Sequence, residues 1–307
     1  MKPSPFVLYE PTSVDQAVFM LSEVAGQDGR ILAGGQTLIP AMALRLAQPA
    51  YLIDINRIEE LQALVETDQR LIIHAGVRHA AFHEPAASGP LGALLSTVVR
   101  HIAHLPIRTR GTFAGSVANA DPASEWCLVT ATLNASIVAR SLNAERRIAA
   151  CDYFVGFMTT ALQPDELLVA IELPLLDSET VFGFEEISWR AGDFAQAMAL
   201  AVMTPTAAGL HNVRIGVGAA ESTPRRMAEA EEVLEGRPAS SELFAHAARC
   251  AAEAINPMDG TEDEQAYRRD LVETVVLRAL EKAAAFQLPP TDQAVPGASP
   301  EKESSHA

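Results

Sequence analysis

The chain has 307 residues, 49% of them hydrophobic and 20% charged, with a formal net charge of −16. That length suits about two domains, and the composition is ordinary for a globular protein with a sizeable core. The acidity argues against a nucleic-acid partner, which needs a basic face, and no run approaches the roughly 18 apolar residues of a membrane span.

Two residue types exclude more. The only lysines are Lys2, Lys282 and Lys302, and none stands beside a glycine-rich loop as a Walker A motif requires. Cys127, Cys151 and Cys250 lie far apart without a CxxC pair. An iron–sulfur cluster normally takes four thiolates, so this chain lacks a ligand set of its own, and three buried or inert thiols are expected. The opening "MKPSPFVLYEPTS" has no apolar h-region, which makes the cytoplasm the expected location.

In chain order, "TSVDQAVFMLSEV" places Val14, Ala17, Val18, Leu21 and Val24 at helical spacing, with Ser13 and Gln16 as a capping box. "GRILAGG" follows as a strand ending in glycines, and "AYLIDI" as another. Residues 1–58 therefore read as one small α/β unit. "ALVETDQRLIIHAG" reads as a hairpin turning at Asp68 and Gln69. "GPLGALLSTVVRHIAHL" is a helix with Leu91, Leu94, Leu95, Val98 and Ile102 inward. A second glycine-rich stretch, "IRTRGTFAGSVANADPASEW", leads into the apolar helix "EWCLVTATLNA". "SIVARS" and "ERRIA" form a hairpin, and "LLVAIELP" closes this second unit, 59–176.

After Pro174 three strands, "VFGFEEISW", "AQAMALAVMTP" and "NVRIGVGAA", precede three helices. That order predicts an α+β layer over 177–288 with one sheet face covered. The tail, 289–307, lacks apolar periodicity and is expected to be disordered.

Most polar clusters have bland readings. "GVGAAE" lacks the third glycine of a dinucleotide fingerprint and reads as a strand-end turn. The pairs His79/His83 and His101/His104 lack a third metal ligand and read as solvated or core-edge histidines. Glu229, Glu231, Glu232 and Glu235 read as a solvated helix face. The two glycine loops do not have so bland a reading. "AGGQTL" and "GTFAGSVANADPAS" are both rich in small residues, which let backbone N–H groups reach a ligand. A plain tight turn would explain either loop alone. Concave N–H arrays bind anions without cationic side chains, and two such loops suit a dinucleotide diphosphate better than a single phosphate. Thr37, Thr112, Ser116 and Asn119 add hydroxyl and amide groups.

These stretches carry a resemblance. "ILAGGQTLIPAMALRLAQPAYLIDI" with "IRTRGTFAGSVANADPASE" resembles the FAD-binding medium subunit of the molybdenum hydroxylases, as do "TTALQPDELLVAIELP", "RAGDFAQ" and "YRRDLVETVVLRAL". The resemblance implies a two-subdomain flavin-binding domain of the vanillyl-alcohol-oxidase (PCMH) type, 1–176. It adds a C-terminal domain, 177–288, with a three-stranded antiparallel sheet and three helices. Implied cofactor contacts are Leu32, Ala33, Gly34, Gly35, Gln36, Thr37 and Leu38 in the first loop. In the second region they are Ile107, Thr112, Ala114, Gly115, Ser116, Asn119, Asp121 and Glu125, with Leu168 against the flavin or adenine. "RAGDFAQ" would lie near the isoalloxazine ring.

Ala114, Thr109 and Glu125 stand where the family usually has glycine, asparagine and aspartate, and Glu185 where some eukaryotic relatives carry lysine. Partners implied are a large molybdopterin subunit and a small subunit with two [2Fe–2S] clusters, in a dimer of heterotrimers. Electrons would leave through FAD to NAD, a quinone, a cytochrome or oxygen. No catalytic side chain is required. The alternative is a self-sufficient flavin oxidase or reductase of the same binding fold, for which Asp193 is the one candidate base.

Overall fold

The computed structural model describes residues 2–258 and 260–286; the tail expected to be disordered lies outside them. The first unit holds β1 (Val7–Tyr9), α1 (Val14–Val24), β2 (Gly29–Leu32), α2 (Leu38–Ala43) and β3 (Tyr51–Asp54). Its three strands are parallel, in the order β1-β3-β2. The five apolar residues expected on the inner face of α1 are its buried ones. Ser13 Oγ accepts the Gln16 N–H at 3.3 Å. Gln16 reaches one residue further than a capping box requires, accepting the Thr12 N–H at 2.9 Å.

The second unit runs through β4 (Leu64–Glu66), β5 (Arg70–His74), α3 (Gly89–Val98), α4 (Leu105–Arg108), α5 (Phe113–Asn119) and α6 (Glu125–Thr132). It continues with β6 (Ser136–Arg140), β7 (Glu145–Ala149), α7 (Ala150–Tyr153), β8 (Phe154–Gly156), β9 (Thr159–Thr160) and β10 (Leu167–Pro174). Its antiparallel sheet is ordered β4-β5-β10-β6-β7. The last strand in sequence is thus the middle strand in space. An apolar run without alternation is what a strand covered on both faces looks like, and seven of the eight β10 residues are buried. The exception in kind, Glu172, is held by Arg70 and by Arg147 at 3.1 Å. The helix α3 is shorter than expected. It stops at Val98, and Ala103 takes a positive φ of 40°, yet Ile102 is still buried.

The third unit contains β11 (Val181–Ser188), β12 (Ala195–Thr206), β13 (Gly209–Gly218), β14 (Arg225–Arg226), α8 (Ala228–Leu234), α9 (Ser241–Ala254) and α10 (Glu262–Ala285). Its antiparallel sheet has four strands rather than the expected three, because β14 adds two residues against Gly216 and Val217. "GVGAAE" does end the strand in a turn, with Ala219 at φ 62°, but β14 intervenes before the helix.

Both faces of this sheet are covered, not one. Alternation along β12 shows how. Ala197, Ala199, Ala201 and Met203 join a core with α8, α9 and α10. Met198, Leu200 and Val202 point the other way, into the core of the first two units. Contact with the second unit is close. A Cβ built on Gly216 of β13 would lie 1.8 Å from Thr132 Oγ1 of α6.

Of the four glutamates expected on a solvated face, Glu231 turns inward, while Glu235 stays exposed yet still reaches the strand. Glu231 Oε1 accepts the Ile215 N–H at 2.9 Å, and Glu235 Oε2 accepts the Val213 N–H at 3.0 Å. They cap the donors that β14 is too short to pair. Of the cysteines, Cys127 is buried as expected, whereas Cys151 is exposed and Cys250 intermediate.

Candidate functional site

The first loop follows β2. Gly35 has φ 70°, a left-handed conformation costly for residues with a Cβ. This lets the chain reverse from strand into α2. Ile39 N–H bonds back to the Gly35 carbonyl at 3.1 Å. Among the described residues, no hydrogen bond takes the backbone N–H of Gly34, Gly35, Gln36, Thr37 or Leu38. Buried backbone donors are nearly always paired, so five free donors in succession mark a surface open to water or a ligand. Three of the five residues, Gly34, Gly35 and Gln36, line a cleft of about 400 Å³ together with Leu32, Ala33, Ile39, Pro40, Asp54, Asn56 and Arg110.

The second loop is fixed from behind. Phe113 packs on Trp126 with ring centroids 4.6 Å apart, and Phe82 lies against both. Phe113 N–H bonds to the Val77 carbonyl at 3.1 Å and His79 N–H to that of Gly111 at 3.0 Å. Thr112 is buried and caps α5, its Oγ1 accepting the Gly115 N–H at 2.9 Å. Ser116 N–H is likewise used, bonding to the Thr112 carbonyl at 3.1 Å. Free donors are therefore concentrated in the first loop.

His79, expected as a solvated or core-edge histidine, is a buried member of this support. Its Nδ1 accepts the Trp126 Nε1–H at 2.9 Å. Burial, then the charges of Arg78 and Arg108, push its pKa down to about 4, so the ring is neutral at physiological pH. The spacing of His79 to the distant Trp126 carries no local signal of this bond.

The two loops touch. A Cβ on Gly34 would lie 2.4 Å from the Arg110 carbonyl oxygen and 2.5 Å from Gly111 Cα. A polar link runs beneath the contact. Arg78 Nη1 donates to the Arg110 carbonyl, and its Nη2 donates to Asn56 Oδ1 at 2.5 Å. Asn56 Nδ2 donates to the Ala33 carbonyl at 2.9 Å, and Asp54 Oδ1 accepts the Asn56 N–H at 2.9 Å.

On the other side of Ala33 lies a smaller, mostly apolar cavity of about 80 Å³, whose walls include Ala114, Gly115, Leu162 and Leu168. The residues expected at the site thus divide. Leu32 through Gln36 line the cleft; Ala33, Ala114, Gly115 and Leu168 line the smaller cavity. Thr37, Leu38, Ile107, Thr112, Ser116, Asn119, Asp121 and Glu125 line neither. Ala114 lies within α5 with no positive φ, so its methyl in place of glycine costs no strain. Thr109 Oγ1 donates to the Pro106 carbonyl at 3.0 Å.

Glu125 opens α6 and faces other acids. Burial, then Glu186 and Asp121, push its carboxyl up to about 8, against the opposing effect of a backbone hydrogen bond. Glu186 of β11 has a side chain only 4% exposed. Its Oε2 lies 3.7 Å from His101 Nδ1 without a hydrogen bond. Burial and the neighbouring Glu185 push Glu186 up to about 7. Burial opposes ionisation of Glu185 too, but Lys282 at 2.5 Å and Arg278 at 3.1 Å outweigh it and lower its pKa.

Asp193 is exposed in the β11–β12 turn. No group of three or more potential metal ligands occurs among the described residues. No helix there is long and apolar enough to cross a membrane.

The residues present suit a dinucleotide: a cradle of free N–H groups with no room for a Cβ at Gly34, beside an apolar cavity. The comparisons agree. The chain matches the model described as the FAD binding domain in molybdopterin dehydrogenase over residues 4–176. It matches the CO dehydrogenase flavoprotein C-terminal domain over residues 182–283. The 6-hydroxypseudooxynicotine dehydrogenase complex subunit alpha of Paenarthrobacter nicotinovorans is 35% identical, over 92% of this chain and 96% of that protein. Caffeine dehydrogenase subunit beta of Pseudomonas sp. strain CBB1 is 34% identical over the same shares. A solved structure of carbon monoxide dehydrogenase from Hydrogenophaga pseudoflava superposes with a TM-score of 0.88 at 31% identity, covering 93% of this chain and 99% of that one. The chain belongs to the family of FAD-binding medium subunits of the molybdenum hydroxylases, and is an oxidoreductase subunit.

Proposed function

We propose that this chain is the flavin-carrying subunit through which electrons leave a three-subunit molybdenum hydroxylase. A large subunit holds molybdopterin, a small one carries two [2Fe–2S] clusters, and two such trimers pair. The division of labour is supported by the three scattered cysteines, which cannot supply a cluster. Free thiols also fit the reducing cytoplasm.

In this reading residues 1–176 bind FAD and residues 177–288 cover its ring. The cofactor supplies the redox chemistry, and the protein supplies position and electrostatics. Gly34 through Leu38 hold the diphosphate by backbone N–H groups. The second loop, rigid through Phe113, Trp126 and His79, keeps the first in place at Gly34. Leu168 packs against the flavin or adenine, and Asn119, Asp121 and Glu125 shape the connection behind α5. NAD, a quinone, a cytochrome or oxygen takes the electrons.

One observation carries the proposal: five consecutive unpaired N–H groups, three of them on residues that line a cleft large enough for part of a dinucleotide. Expressed with its genomic neighbours, the chain should copurify with a molybdopterin subunit and a two-cluster subunit and carry flavin absorbance. A colourless chain after reconstitution with FAD refutes the cofactor site. A yellow chain that oxidises substrate without partners favours the self-sufficient oxidase, for which the exposed Asp193 offers a poor base.

A further inference from the structure

We propose that Arg110 is the cation of the diphosphate site: its guanidinium closes across the cleft onto a dinucleotide's two phosphates, selecting phosphorylated ligands that the backbone cradle alone would hold weakly. The inference rests on the FAD reading above and adds a side chain to what was a site of backbone donors.

The backbone of Arg110 is fixed. Its N–H bonds to the Ile107 carbonyl at 3.1 Å, its carbonyl accepts from Arg78, and Gly34 packs directly on it. The side chain is the opposite. It is exposed, lines the cleft, and makes no hydrogen bond or ion pair among the described residues. The neighbouring Arg78 is committed to the Arg110 carbonyl and Asn56, so Arg110 is the one with donors to spare.

Charge gives a second, independent reason. A dinucleotide diphosphate brings two negative charges to a protein of net charge −16, into a cleft that also holds Asp54. Without Arg110 the charged side chains lining that cleft would be acidic only. Arg78 already feels Arg110 as a like charge. Burial is the larger cause of its lowered pKa, Arg110 the next, and Asp54 opposes both. An anion bound in the cleft would supply the counter-charge that the unpaired Arg110 guanidinium lacks. Guanidinium presents a planar fork that matches phosphate oxygens, and such charge-assisted bonds are stronger than neutral ones.

The test uses the full chain stripped of cofactor, titrated with FAD and with ADP at several salt concentrations, as wild type, Arg110→Gln and Arg110→Lys. Thermal melts of the ligand-free proteins check folding. The expected result is a roughly tenfold or larger loss of affinity for both ligands in Arg110→Gln, equivalent to about 1.4 kcal/mol. Its salt dependence should be shallower, since one exposed ion pair is gone, and Arg110→Lys should recover part of the loss. Unbound adenosine, which has no phosphate, should compete equally well against all three proteins. Arg110→Gln binding FAD and ADP like wild type, or losing adenosine competition to the same degree, overturns the role of Arg110 while leaving the flavin site intact. A wild-type chain that binds neither FAD nor ADP overturns the flavin reading and this inference with it.

Discussion

Gly34 shows what one hydrogen in place of a methyl can decide. Its missing Cβ is the space in which the two loops meet, and the atoms it would strike are backbone, which cannot swing aside. Gly34→Ala should therefore separate the loops and lower FAD affinity by roughly tenfold or more, about 1.4 kcal/mol. Flavin retained after gel filtration measures it, and full retention would contradict the contact. Ala114, by contrast, replaces a family glycine at a helical position, so Ala114→Gly should leave flavin content unchanged.

The acids Glu125 and Glu186 make a pH prediction. Both have folded pKa values raised above the ordinary 4.5, to about 8 and about 7. Between these limits the folded state binds more protons than the unfolded, so stability falls as pH rises through pH 4.5–8. Glu186→Gln removes its share of that penalty. In urea melts the variant should exceed wild type at pH 8 and converge with it near pH 4.5. A variant less stable at pH 8 would mean that the Glu186 carboxylate is needed there, against its lack of a hydrogen-bond partner.

Among elements, β13 depends on a helix for what a strand would normally supply. Its neighbour β14 has two residues, and an edge with bare donors invites pairing with other chains. Glu231 meets this by accepting the Ile215 N–H while pairing with Arg226 at 2.6 Å. Glu231→Ala leaves a donor and a guanidinium without their partner, and should cost about 1–3 kcal/mol. Denaturant unfolding reads the loss, and an unchanged midpoint would mean that water replaces the carboxylate fully. The four-residue charge spacing in "EAEEVLEG" is that of any solvated helix. Only the shortness of β14 leaves strand donors for Glu231 and Glu235 to accept, and two residues between "ESTP" and "MAEA" give no strand signal.

The whole molecule is joined by a sheet that has no free face. The sequence predicts one covered face for this sheet, and the second covering layer lies in another unit, with α6 against β13. Gly216→Ala drives a methyl toward Thr132 Oγ1, which itself donates to the Leu128 carbonyl at 2.7 Å. Overpacking of this kind costs about 1–3 kcal/mol. Calorimetry should show a lower Tm for the full chain, and an unaltered Tm would mean that the α6–β13 contact is looser than described.

Some of this architecture was legible in the residues because its causes are local. Helical spacing set the buried face of α1, turn residues set the β4–β5 hairpin, and small residues marked both loops as places where backbone approaches something. Whether an N–H lies in a strand or helix depends on its immediate neighbours, so the free donors of the first loop were foreseeable. Other features required the folded chain. That β10 is central, that Arg110 and Gly34 touch, that His79 serves Trp126, and that Asn56 ties Ala33 to Arg78 all depend on residues distant in sequence. Strand order and loop contact are fixed by the packing of whole units, and no period of two or 3.6 residues encodes which distant backbone will arrive beside a given glycine.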